Sequence, residues 1–329
     1  MVRAVALAVC FLVWLCAGIL VAGESSGKSE LDAYFKLLGY EKVQLKGNEQ
    51  NKLQIEGRLG EKKALFMVDS GWGLTTLDER AARGLKRLGD LGGTLEDGHF
   101  GTISDPTLAI IDKLVIGRAQ FLNQPARVKK LEMEYVDTPY EGILGCDFFL
   151  RNYCLIDCAR RCLYVRGAKL SEQQSNDMAE TFKRSGFVEV PTDSMRALVA
   201  KVEINGHPAD LLVDTGAWTS VLDEEQSKPL ELIPYKESAN GTHMLQEVTT
   251  KVVGVGKIGT HHMRVMTIKN FQLGSRKLQS IHFGVANLDA WGKPDERKWV
   301  GVLGEDVLEG QQALLDFSSG KVWLTRPKP

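Results

Sequence analysis

The hydrophobic residues of this chain fall mostly in short runs separated by Gly, Asn and charged residues. Val199–Ile204 and Ala209–Val213 flank Asn205-Gly206, a pair suited to the positive backbone angles of a two-residue hairpin turn. Leu53–Leu59 and Ala64–Val68 flank Gly60-Glu61 in the same way. Helical spacing is brief. It predicts a helix over Leu77–Leu88 (LDERAARGLKRL), and short helical or turn segments over Asp147–Asn152 and Asp306–Gln311. Two further hairpins are expected, Cys154–Asp157 with Cys162–Val165 and Ala313–Phe317 with Val322–Leu324. Many short strands with turns between them predict small closed or sandwiched β domains.

The same order of segments occurs twice. Offset by 145 residues, Val43–Glu79 aligns with Val188–Glu224 without a gap, and nine of the 37 positions are identical. Offset by 159, GILGCDFFLRNYCLID (Gly142–Asp157) aligns with GVLGEDVLEGQQALLD (Gly301–Asp316). Ile111–Gly117 falls on Ile268–Gly274 between them, so the second copy is the longer. This period is too long for a solenoid repeat and reads as a duplicated domain. The expected organisation is a first lobe over 41–166, a polar linker over 167–186 and a second lobe over 187–329.

The amino terminus has its own pattern. Met-Val-Arg precedes an unbroken apolar run, Ala4–Val21, then Val21-Ala22-Gly23 and polar Glu24-Ser25-Ser26-Gly27. A charge, an apolar core and small residues at a cut site predict a secretory signal peptide over 1–23, hence a secreted, periplasmic or cell-envelope protein. The run is also long enough for an uncleaved membrane anchor, the alternative reading. Residues 24–40 form an N-terminal segment and a candidate propeptide.

Composition narrows the field. The 329 residues are 43% hydrophobic and 25% charged, as expected of globular domains. Lys and Arg total 41 against 42 Asp and Glu, so no basic field exists to attract nucleic acid. Beyond the signal segment the cysteines are Cys146, Cys154, Cys158 and Cys162. An even number in an exported chain favours disulfides, with three connectivities open. A four-thiolate zinc site is the alternative, although the spacing lacks the usual C-x2-C pairs.

Two motifs recur in both copies: an apolar strand entering Asp-Ser/Thr-Gly (Asp69-Ser70-Gly71, Asp214-Thr215-Gly216), and Gly-apolar-Leu-Gly (Gly142–Gly145, Gly301–Gly304). A carboxylate at the end of a buried strand needs stabilising partners, and a following Gly allows a tight turn that offers it backbone N–H groups. The pairing of these motifs in a duplicated β domain resembles the aspartic peptidases, in particular the retropepsin-like branch. VDTGAWTSVL (Val213–Leu222) is similar to the active-site strand and loop of that family, and GILG and GVLG to the segment that passes behind the loop.

The resemblance implies an all-β fold of two pseudo-symmetric retropepsin-like barrel lobes, the acid-protease fold, with a few short helices. It implies that Asp69 and Asp214 meet between the lobes as a catalytic pair. Ser70 and Thr215 would brace the loops, and Gly71 and Gly216 would donate to the carboxylates. Family loops carry a small residue after this Gly. Ala217 conforms, whereas Trp72 departs, and its ring would fill the cleft, shape a pocket or pack outward. The expected function is an exported aspartic endopeptidase acting on a peptide or protein, with a two-lobed, inactive peptide- or protein-binding module as the alternative. One chain supplies both acids, so a monomer suffices, and neither metal nor cofactor is required. Two hairpin tips, Asp97–Gly101 and Gly254–Gly259, are candidate flaps. The latter also spells G-x-G-x-x-G, but a strand-like segment follows it, which argues against dinucleotide binding. Asp147, Asp306, Asp157 and Asp316 are read as helix caps and turn formers, and Trp291, Trp299 and Trp323 as core or cleft wall.

Overall fold

In the computed structural model the described residues are 30–47, 52–90, 94–96, 102–104, 107–131, 139–193, 197–239, 242–245, 247–252, 259–289 and 297–325. The expected signal peptide and both candidate flap tips, apart from Gly259, lie outside them, as does Trp291. The strands flanking the tips do pair: Thr94–Glu96 with Thr102–Ser104, and Glu247–Val252 with Gly259–Arg264.

Each lobe is a closed six-stranded barrel. In lobe 1 the ring runs Leu53–Leu59, Lys62–Val68, Gly142–Leu144, Thr76–Asp78, Ala119–Lys129 and Thr107–Ile116, and the last strand pairs back with the first. In lobe 2 it runs Val199–Ile204, His207–Val213, Gly301–Leu303, Val221–Asp223, Arg276–Ala286 and Gly259–Leu273, closed in the same manner. The Asn205-Gly206 turn has both residues at positive φ, 51° and 89°, as a tight hairpin between right-twisted strands requires.

A third sheet joins the lobes, in the order Glu41–Gln44, Cys162–Val165, Leu155–Asp157, Ala313–Asp316, Lys321–Thr325 and Phe187–Val190. Read from either end, this sheet meets the equivalent strands of the two copies. At its centre Ile156 pairs with Leu315. Alternation along the strands gives it two apolar faces. Ile156, Leu163, Leu315 and Val322 join the core that runs into both barrels. Leu155, Tyr164, Leu314 and Trp323 point the other way, where two helices cover them: α1 (residues 30–37) through Phe35, and α3 (Glu172–Arg184) through Met178 and Phe182. The polar join between the copies thus contains an amphipathic helix, opened by a capping box of Ser171 and Gln174.

The helices expected after each Leu-Gly are present as α2 (Cys146–Arg151) and α4 (Glu305–Gly310). The helix expected over Leu77–Leu88 is absent. Thr76–Asp78 is a barrel strand, turns follow, and Lys86–Asp90 is a strand paired with Thr107–Ile116. Barrel closure takes the ends of this segment, and Gly84, at φ 84°, interrupts what remains. The disulfide expectation is also corrected: Cys146, Cys154, Cys158 and Cys162 are buried thiols. Cys162 lies in the outer cluster and the other three in the inner one. Cys154 and Cys158 are separated by the extended Leu155–Asp157, roughly 10 Å or more, against about 4.4–6.8 Å for a bridge.

Candidate active site

The strands Lys62–Val68 and His207–Val213 each run parallel to a Gly-apolar-Leu segment and end at an Asp. Asp69 N–H donates to Leu144 O at 3.1 Å and Asp214 N–H to Leu303 O at 3.0 Å, so each loop leaves its barrel in the same geometry. On the other side, Cys146 N–H reaches Trp72 O at 2.7 Å and Glu305 N–H reaches Ala217 O at 2.9 Å.

The two loops meet across the lobe boundary. Ser70 Oγ donates to Val213 O at 2.8 Å and accepts from Thr215 N–H at 3.0 Å. Thr215 Oγ1 donates to Val68 O at 3.1 Å and accepts from Ser70 N–H at 3.0 Å. Both side chains are fully buried, so this reciprocal lattice satisfies four backbone groups that would otherwise be orphaned. Below each loop a second brace repeats: Asp147 accepts from Thr75 N–H and Oγ1, and Asp306 from Ser220 N–H and Oγ. Asp147 and Asp306 were expected to cap helices, but neither α2 nor α4 has a side-chain cap at its N-cap residue. Both acids sit in the first turn of their helices, where Asp306 Oδ1 also accepts from Val307 N–H at 2.8 Å, and their carboxylates hold the Asp loops as well. Asp157 and Asp316 do form turns, accepting from Arg160 N–H and Ser318 N–H.

This bracing brings the two acids together. A side chain on Gly71 would overlap the Asp214 carboxyl, and one on Gly216 would overlap that of Asp69. Each glycine is therefore required by the acid of the opposite lobe. Gly216 N–H and Ala217 N–H donate to Asp214 Oδ1 at 2.7 and 3.1 Å, and Gly71 N–H donates to Asp69. Burial pushes the Asp69 carboxyl well above the usual range, reinforced by the charge of Asp214 and a hydrogen bond with it. The ammonium of Lys52 and the Gly71 N–H pull the other way. Tyr140, 7% exposed, is pushed up to about 12 by burial and by Asp69.

Of the residues singled out from sequence, Asp69, Ser70, Gly71, Asp214, Thr215, Gly216 and Ala217 converge here. Trp72 is turned aside. Its indole N–H donates to Thr76 Oγ1 at 2.9 Å, and it packs with Leu65, Met67, Leu131, Tyr140 and Ile143. Two neighbours escaped notice. Tyr140 carries no motif, although the offset of 159 sets it against Trp299, also buried. Lys52, whose ammonium bonds to Gly216 O, aligns with Ala197 at the offset of 145 and so has no counterpart.

A family model for the gag-polyprotein putative aspartyl protease matches residues 200–309, which include Asp214 and the Gly301–Gly304 segment. Among solved structures, the EIAV protease complexed with the inhibitor HBY-793 is 25% identical with a TM-score of 0.24. That match covers 34% of this chain and 85% of that one. The aspartic proteinase from Irpex lacteus is 13% identical with a TM-score of 0.49, over 88% of this chain and 98% of that one. No curated protein matches the chain. The second lobe thus resembles the aspartyl-protease family by sequence, and the two closed six-stranded barrels have the two-lobed architecture of the acid-protease fold.

Proposed function

We propose that the protein is an exported aspartic endopeptidase whose catalytic pair is Asp69 and Asp214. The observation that carries this reading is the reciprocal packing of the two loops, in which each glycine lies against the carboxyl of the other lobe. Two carboxylates so placed cannot both ionise cheaply, and sharing one proton is the known behaviour of such pairs in aspartic peptidases. The ionised member takes a proton from a water, which attacks the scissile carbonyl. The protonated member donates to the carbonyl oxygen as its charge develops. The proton belongs to the pair rather than to one residue. Asp69 Oδ1, buried and with no hydrogen-bond partner among the described residues, suits such a shared proton or the water. An extended substrate would pair its backbone with strand edges and present alternate side chains to each lobe.

Export rests on the apolar run Ala4–Val21 and the small residues after it. Purified protein is expected to cleave denatured casein. Asp69→Asn and Asp214→Asn should each abolish cleavage, and a statine-type transition-state mimic should inhibit it. Peptide binding without turnover from acid to neutral pH would instead establish a binding module.

A further inference from the structure

The two lobes place equivalent strands and loops around the acid pair, but they differ there in charge. In lobe 1 the hairpin register pairs Gln54 with Met67. Continued to the strand end, it sets Lys52 opposite Asp69. In lobe 2 it pairs Val199 with Leu212, and the same continuation sets Ala197 opposite Asp214. Directly opposed residues on antiparallel strands have Cβ atoms about 4.5–5.5 Å apart. The Lys52 side chain, half-buried, crosses the lobe boundary and hydrogen-bonds to Gly216 O. Gly216 is the residue whose Cα packs on the Asp69 carboxyl and whose N–H holds Asp214. The ammonium is thus held on a peptide that touches both acids.

We propose that Lys52 is a positioning residue of the acid pair, the fixed positive charge that keeps the pair in its singly ionised, working form in acid. This rests on the reading of Asp69 and Asp214 as the catalytic pair. The other groups facing them act differently. Tyr140 is neutral over the working range. Glu305, on the first turn of α4, carries a like charge toward Asp214 when ionised and favours protonation of the pair. The N–H groups of Gly71, Gly216 and Ala217 donate to the carboxylates but come from the same loops in both lobes. Lys52 alone among these groups carries a positive charge and breaks the pseudo-symmetry. An ammonium held on this peptide favours the ionised carboxylate, and its charge pulls Asp69 downward against the effect of burial. Both proton steps of the pair should therefore sit lower with Lys52 than without it.

The test is the pH dependence of kcat/KM for the full chain, with Lys52→Met and Lys52→Arg. Lys52→Met should move both limbs of the profile to higher pH, by about one unit, and Lys52→Arg should restore the original limbs. A Lys52→Met profile that superimposes on the wild type, or an arginine variant that behaves like the methionine one, would overturn the proposal. Carbon-13 NMR titration of the aspartate carboxyls reads the same effect without catalysis. If the wild type cleaves nothing at any pH, the peptidase reading fails while this titration still decides the role of Lys52. A pair step that rises in Lys52→Met supports it, and an unmoved step removes it.

Discussion

The indole N–H of Trp72 donates to Thr76 Oγ1 at 2.9 Å, and this bond decides what the bulkiest residue of the first Asp loop does. It directs the ring onto Met67 and Ile143. These two residues pair across parallel strands, and Met67, two before Asp69, shares its face of the strand. The ring therefore closes the apolar patch beside Asp69, whereas Ala217 leaves the matching place beside Asp214 small. Trp72→Ala is predicted to retain cleavage and to admit larger substrate side chains on the lobe 1 side only, read from a peptide-library cleavage profile. Loss of turnover, or equal broadening on both sides, would contradict this.

The barrels and the pair were legible because they rest on local chemistry repeated at a fixed offset. Asn205-Gly206 dictates its hairpin, and Asp-Ser/Thr-Gly with Gly-apolar-Leu-Gly marks each loop and the strand behind it. What misled was tertiary. The helical spacing of Leu77–Leu88 was overridden by strand pairing at both ends. The cysteines suggested bridges that the inside-outside alternation of the central sheet forbids for Cys162. Asp147 and Asp306 stand in the first turns of their helices, behind glycine caps, and their carboxylates also reach Thr75 and Ser220 across the fold, a contact that local spacing does not reveal. Lys52 left no trace in a search for repetition because it is a difference between the copies.

Ser70→Ala removes the acceptor of Thr215 N–H and the donor to Val213 O, both deep between the lobes. An unsatisfied buried group costs about 1–3 kcal/mol, so a loss of roughly 2–4 kcal/mol in urea unfolding is expected. Ser70→Thr, which copies the other lobe, should recover most of it. Because Ser70 and Thr215 belong to one network, adding Thr215→Ala should cost less than the sum of the single losses.

Glu305 is 2% exposed, and burial with the charge of Glu309 pushes its carboxyl up to about 8. In the unfolded chain it titrates near the ordinary value, so the folded form binds the proton more tightly. The stability this gives is complete at low pH and is lost as pH rises from about 4.5 to about 8. Glu305→Gln is predicted to remove this slope, so the variant should gain over the wild type in thermal unfolding at pH 8–9 and lose that advantage near pH 5. Parallel stability curves for the two proteins across this range would show that Glu305 ionises normally.

Residues 30–40 pack as part of the fold, and we predict that they are retained rather than removed as a prosegment. Phe35, 1% exposed, has its ring centroid 4.7 Å from that of Tyr164 and 5.9 Å from those of Tyr40 and Phe182. Asp32 anchors the same helix, accepting from Tyr164 Oη at 2.6 Å, Lys42 at 2.7 Å and Arg160 at 2.8 Å. Together they cover the outer face of the sheet that unites the lobes. Phe35→Ala should cost about 3–5 kcal/mol, seen as a lowered Tm. Cleavage anywhere between Asp32 and Tyr40 would strip this cover, expose Tyr164, and loosen the frame on which the two acids meet. Amino-terminal sequencing of the mature protein should therefore find a start before Asp32, and a start at Glu41 or later in a fully active protein would refute the assignment.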